Sequence, residues 1–190
     1  MLKAVIFDCF GVLTTEGLTP FINTYFGDSP DKEHQADALT DEVNLNHISY
    51  HEFIRRLAEL ANVPVSVAWS QIDANTANAE LFDFIKSELK PKYKIGMLSN
   101  AAHNWINELF TPDQAALFDM IALSCEINAI KPNPKAYLTA SQLLNVKPEE
   151  CLLIDDVERY CTAARAFGMT AIYYQSFKQF KASIKPLITN

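Results

Sequence analysis

The order of apolar runs along the chain predicts an α/β protein: a parallel sheet interrupted, after its first strand, by a small all-helical insertion. Short apolar runs separated by helix-length sequence recur at residues 2–7, 94–99, 118–124, 151–155 and 170–174. Residues 14–89 break this pattern with helix-like segments and no convincing strand. The chain has 190 residues, room for one full core and a small appended lobe, since ~150 residues already bury about two thirds of their unfolded surface.

Residues 2–7 (LKAVIF) are rich in strand formers and stop at Asp8, where Cys9, Phe10 and Gly11 predict a tight turn. Candidate helices follow at 20–26, 32–45, 49–61, 67–75 and 81–89. Ser49 and Glu52 have capping-box spacing, with Ile48 and Phe53 placed to form a hydrophobic staple across the cap. Beyond residue 90 the strand pattern returns as KIGMLS, FDMIALS, CLLID and TAIYY. In 134–144, Ala136, Tyr137, Ala140, Leu143 and Leu144 recur at helical steps behind Pro134, which suits a first turn. In 159–167, Ala163, Ala164 and Ala166 suit a helix lying close on a sheet, and Gly168 ends it. A last helix is expected over 177–188.

A net charge of -7 works against adhesion to nucleic acid or an anionic membrane, so a small molecule is the expected partner. No apolar run approaches the ~20 residues of a membrane span, and the first residues do not read as a secretory signal; a cytoplasmic location is expected. Cys9, Cys125, Cys151 and Cys161 form no C-x-x-C pair and read as buried free thiols.

The chemistry collects where strands run out. Asp8, Ser99 with Asn100, and Asp155 with Asp156 each end an apolar run, and Lys131 follows closely on another. In an open parallel sheet the carboxyl ends of the strands line one crevice, so these groups can converge. Carboxylates brought together repel unless a cation lies between them, and hard oxygens with few His or Cys nearby suit magnesium. With Lys131 adding positive charge, such a crevice favours a phosphoryl group. Ser99 and Asn100 could hydrogen-bond its oxygens, and Asp8 could attack it. Taken singly, each residue has a blander reading: a strand-end acid, a helix-start acid pair, a loop lysine, a cap.

Together they carry a resemblance. Asp8-Cys9-Phe10-Gly11-Val12-Leu13 is similar to the first motif of the haloacid dehalogenase-like hydrolase superfamily, Leu98-Ser99-Asn100 to its second, Lys131-Pro132 to its third, and Leu153-Ile154-Asp155-Asp156 to its fourth. Ala163-Ala164 and Gly168-Met169 extend the fourth match. The resemblance implies a Rossmann-like core of residues 1–13 and 90–190 with its first and fourth strands adjacent. It also implies a helical cap of subfamily I type over 14–89. Asp8 becomes the nucleophile; Asp8, the Phe10 carbonyl, Asp155 and Asp156 surround a magnesium ion. Lys131 offsets charge, and Ser99 with Asn100 orient the phosphoryl group. The expected activity is a magnesium-dependent phosphatase working through an aspartyl-phosphate, with specificity set by the cap and a hinge at 14–18.

Three departures qualify the resemblance. Phosphatases of the superfamily usually carry a second Asp where Phe10 stands, as a general acid and base typically contributing ~10²–10⁴ in rate. Its absence confines useful turnover to good leaving groups, such as anomeric sugar, acyl or aryl phosphates. An aromatic residue there also resembles the 2-haloacid dehalogenases, and Tyr137, six residues after Lys131, fits them. The Asp155–Asp156 pair and the lack of any Arg before Arg55 oppose that alternative. Val157 and Tyr160 replace common partners of the metal ligands, which can weaken metal affinity ~10–100-fold and raises a non-catalytic binding or scaffold protein as a third reading. His103 is a candidate to replace the missing acid. His47 and His51 have helical spacing, but the cap at Ser49 should separate them. Phe21, Tyr25, Phe26, Phe53 and Trp69 are expected in the core of the helical lobe.

Overall fold

In the computed structural model, which describes residues 1–188, the apolar runs form one five-stranded parallel sheet. Its strands are β1 (Ala4–Phe7), β2 (Lys94–Ser99), β3 (Met120–Leu123), β4 (Cys151–Asp155) and β5 (Thr170–Tyr173), in the spatial order β3-β2-β1-β4-β5. β1 is central and wholly buried, which is why it reads as a continuous apolar run. Its register sets Phe7 beside Met97 and Ile154, so Asp8 and Asp155 emerge together at the carboxyl edge. β3 starts later than the apolar run suggested because the Asp119 carboxylate accepts from the Ile95 N–H and from Lys90, both at 2.7 Å.

Helices α1 (Leu18–Phe26), α2 (Pro30–Asn44), α3 (Tyr50–Ala61) and α4 (Val65–Ile72) build the inserted lobe around Phe21, Phe26, Ala36, Phe53, Ile54, Leu57, Ala68 and Ile72. Tyr25 and Ile48 pack against that core, but Trp69 is 36% exposed and lies against Tyr50 on the lobe surface. The cap of α3 is half of the expected box. Ser49 Oγ accepts from the Glu52 N–H at 3.2 Å, while the Glu52 carboxylate turns away to Arg55 and Arg56. His47 precedes this cap and His51 follows it, so the two do not share a helix.

The chain crosses between lobe and sheet on two adjacent strands of backbone: Thr15 N–H donates to Thr76 C=O at 2.9 Å and Asn78 N–H to Leu13 C=O at 2.8 Å. Next come α5 (Ala79–Phe84), prolonged by a π-helical turn at Ile85–Leu89. Leu81, Phe82, Ile85 and Leu89 join the core of the sheet, so the expected 81–89 helix packs there and not in the lobe. Short helices α6 (Ile106–Leu109), α7 (Pro112–Ala115) and α8 (Ser124–Ile127) flank β3, followed by α9 (Pro134–Leu143), α10 (Glu158–Phe167) and α11 (Phe177–Ile188).

The pleat divides β1 between two layers. Val5 and Phe7 face a cluster with Leu81, Phe180 and Ile184; Ala4 and Ile6 face Ala136, Tyr137, Ala140 and Ala164. Gly168, at φ +102°, ends α10 as the sequence predicts. Cys9, Cys151 and Cys161 are buried and Cys125 half-buried, all as free thiols. Among the described residues no helix is long and apolar enough to cross a membrane.

Candidate active site

The turn after β1 is drawn around one carbonyl. The N–H groups of Val12, Leu13 and Thr14 donate to Cys9 C=O at 3.2, 2.8 and 3.0 Å, and Gly11 N–H donates to Thr14 C=O at 2.9 Å. None of these four donors takes the Phe10 carbonyl. Gly11 has φ +80°, and a Cβ built on it would lie 2.0 Å from Asp156 Oδ2. Glycine is therefore needed here twice, for the left-handed backbone and for the close approach of Asp156.

Lys131 reaches this turn from the loop after α8. Only 1% exposed, its Nζ lies 2.8 Å from Asp8 Oδ1 and 2.5 Å from Asp155 Oδ2. Asp155 is fully buried, and its second oxygen accepts from the Val157 N–H at 2.9 Å. Asn100 clasps Lys131 by its backbone: Oδ1 accepts from the Lys131 N–H at 2.8 Å, and Nδ2 donates to the Lys131 C=O at 3.0 Å. Its amide also donates to the Tyr160 hydroxyl at 3.3 Å. Ser99, 1% exposed, donates its hydroxyl to the Asn100 C=O at 3.4 Å. Both motif-two side chains thus stand at the crevice, yet they are engaged with protein groups.

Asp8, Asp155 and Asp156 each present an oxygen within 4.8 Å of the others. Three carboxylates against one ammonium leave two negative charges uncompensated in a largely buried place. Burial first, and this imbalance after it, raise the pKa values of Asp8 and Asp156. Burial pushes the Asp8 carboxyl up to about 7, with Asp155 and Asp156 adding to the rise and Lys131 opposing it. Burial and then Asp155 push Asp156 up to about 6. Burial works against the charge on Lys131, but Asp155 and Asp8 outweigh it and raise its pKa, so it stays an ammonium. A set of hard oxygens with this excess charge fits a magnesium ion.

Three further residues bear on the sequence-based alternatives, and a fourth ties the lobe to the sheet. Tyr137 is fully buried and donates its hydroxyl to the Tyr160 C=O at 3.0 Å, the contact of a packing residue. Phe10 is half-buried and meets Trp105 edge to face at 4.7 Å between centroids. The His103 ring lies 4.9 Å from that of Tyr50 in the lobe, with Nδ1 buried and unpartnered. Ser124 takes the Ala101 N–H at 2.9 Å and donates to the Asn44 C=O at 2.6 Å, tying α2 of the lobe to the loop after β2. No pattern along the chain signals Ser124 or the proximity of Gly11 to Asp156.

Comparison with known proteins agrees with this fold. Residues 2–168 match the family model for haloacid dehalogenase-like hydrolases. The chain is 22% identical to pyrophosphatase PpaX of Bacillus cereus over 167 residues, 82% of this chain and 74% of that protein. It spans a smaller part of other curated relatives, 36% of YhcW from Bacillus subtilis at 34% identity. A HAD-like family hydrolase from Porphyromonas gingivalis superposes with TM-score 0.74 at 24% identity, covering 100% of this chain and 99% of that one. The HAD family enzyme bt-2542 of Bacteroides thetaiotaomicron, solved with magnesium and inorganic phosphate, gives TM-score 0.70 at 21% identity over 95% and 99% of the two chains. With its sheet order, its inserted helical lobe and its buried Asp–Lys–Asp cluster, the chain belongs to the haloacid dehalogenase-like hydrolase family.

Proposed function

We propose that this hydrolase is a magnesium-dependent phosphatase of the helical-cap subfamily I type, acting through an aspartyl-phosphate at Asp8 on small phosphorylated metabolites with good leaving groups. The observation that carries this is the hold on Asp8: Lys131 binds Oδ1 at 2.8 Å, leaving the other oxygen for attack beside the uncompensated carboxylates. Asp8, Asp156 and the Phe10 carbonyl would hold magnesium, with Asp155 beside them, both of its oxygens already engaged. When bound, the ion supplies positive charge that offsets the carboxylates and the phosphoryl oxygens. The Bacteroides relative with magnesium and phosphate supports this reading.

An Asp8 oxygen attacks phosphorus, and the bond from phosphorus to the leaving oxygen breaks, that oxygen taking the electron pair. Water then attacks the phosphorus of the aspartyl-phosphate, releasing inorganic phosphate and restoring the carboxylate. Lys131 balances charge on Asp8 and the phosphoryl group throughout, and Asn100 keeps Lys131 in place. Phe10 can neither protonate the departing oxygen nor activate the water. Aryl or acyl phosphates should therefore turn over faster than simple alkyl phosphates by ~10²–10⁴. Initial rates across such a panel test this, and equal rates for alkyl and aryl substrates would sink it. The dehalogenase reading predicts halide release from 2-haloacids, and the buried, donating Tyr137 weighs against it. Substrate choice falls to the helical lobe and the 14–18 hinge, because the core groups recognise only phosphate.

Magnesium should also stabilise the fold in a pH-dependent way. Asp8 and Asp156 have folded pKa values raised above those of the unfolded chain. Between the ordinary carboxylate range and about pH 7 the folded state thus holds more protons, and metal-free stability falls as pH rises. Metal binding displaces those protons, so the gain in Tm on adding magnesium should be larger at about pH 8 than at about pH 5.5. Thermal melts at both pH values check this, and an equal gain at both would contradict it.

A further inference from the structure

We infer that Tyr160 is a positioning residue that holds Lys131 in register with Asp8, acting on the ammonium through its ring and on the backbone through Asn100. The inference rests on the proposed phosphatase reading for its kinetic consequence and on geometry for its structural one. The Lys131 Nζ lies 5.1 Å from the centroid of the Tyr160 ring. Two of its directions are taken by Asp8 and Asp155, and an aromatic face favours the cation from a third without offering a competing carboxylate. The Tyr160 hydroxyl meanwhile accepts from Asn100 Nδ2 at 3.3 Å, the same amide group that donates to the Lys131 C=O. One side chain thus supports Lys131 at both ends.

Tyr160 is itself held. Its carbonyl accepts from the Tyr137 hydroxyl at 3.0 Å and its N–H donates to the Val157 C=O at 2.9 Å. The Arg159 guanidinium lies 5.1 Å from its ring and donates to its hydroxyl at 3.3 Å. A shorter amide or carboxyl side chain at this position would present no aromatic face to Lys131. The departure from the usual fourth motif therefore brings in a second support for the lysine.

The experiment compares the wild-type chain with Tyr160→Phe and Tyr160→Leu, using an activated aryl phosphate with magnesium and, separately, the NMR signals of the Lys131 side chain. Tyr160→Leu should lower kcat about 10–100-fold, with KM changed less than about threefold. Tyr160→Phe keeps the ring and should hold kcat within about fivefold of wild type; because phenylalanine restores packing as well, the Lys131 signals are what separate contact with the ring from packing. The ring-current shift on the Lys131 methylene protons should persist in Tyr160→Phe and vanish in Tyr160→Leu. Wild-type kcat in Tyr160→Leu, or an unchanged Lys131 shift, overturns the inference. Should the wild-type chain release no phosphate, the phosphatase reading fails, and the Lys131 shift alone then upholds or overturns the positioning role.

Discussion

Replacing Lys131 by Met is expected to destabilise the protein by about 3–5 kcal/mol near pH 8 and to abolish turnover, because it leaves buried carboxylates without their cation. Lys131 is 1% exposed, and Asp8 and Asp155 are 7% and 0% exposed, so water cannot take its place without rearrangement. Methionine preserves much of the apolar stem, which makes the missing charge the main change. The deficit has a definite pH dependence. Without the ammonium the two carboxyl groups bind protons more readily in the folded state, so the variant regains stability relative to wild type as pH falls. Urea unfolding at about pH 8 and about pH 5.5 measures this. A deficit that is small at both values, or unchanged between them, would contradict the picture of a charge-compensated cluster.

Gly11→Ala is expected to weaken magnesium binding ~10–100-fold, a loss of the size seen when the support of a metal ligand is removed. The added Cβ would fall 2.0 Å from Asp156 Oδ2, so the carboxylate has to leave its place. The backbone at φ +80° adds about 1–2 kcal/mol of strain for a residue with a side chain. Both effects fall on the turn that also carries Asp8 and the Phe10 carbonyl. Magnesium titration followed by Tm should show the midpoint moved to higher concentration. A variant with the wild-type midpoint would mean that Asp156 does not serve the metal.

The sheet was legible because its inner strands β1 and β4 are buried on both faces and therefore read as unbroken apolar runs, with Asp8 and Asp155 marking where burial gives way to the crevice. The convergence of Asp8, Lys131, Asp155 and Asp156 was legible for the same reason: parallel strands end on one side. Other features depend on contacts between residues far apart in sequence. Helical periodicity in 81–89 shows that one face is buried, but not that Leu81, Phe82 and Ile85 lie on the sheet instead of in the lobe. The spacing of Ser49 and Glu52 could not reveal that Arg55 and Arg56 would claim the glutamate. Trp69 looked like core by chemistry alone, yet Tyr50 leaves it at the surface. The engagement of Asn100 with the backbone of Lys131, and of Tyr160 with both, becomes visible only when the loops after β2 and α8 and the first turn of α10 are brought to one edge.

Phosphate release from an activated aryl phosphate, measured with magnesium or with chelator for the wild-type chain and for Asp8→Asn, bears most directly on the reading of Asp8 as nucleophile. Release that requires magnesium and falls by roughly 10⁴-fold or more in the variant, the scale of losing a covalent nucleophile, is the predicted result. Release that is indifferent to chelator, or that survives Asp8→Asn, would contradict it.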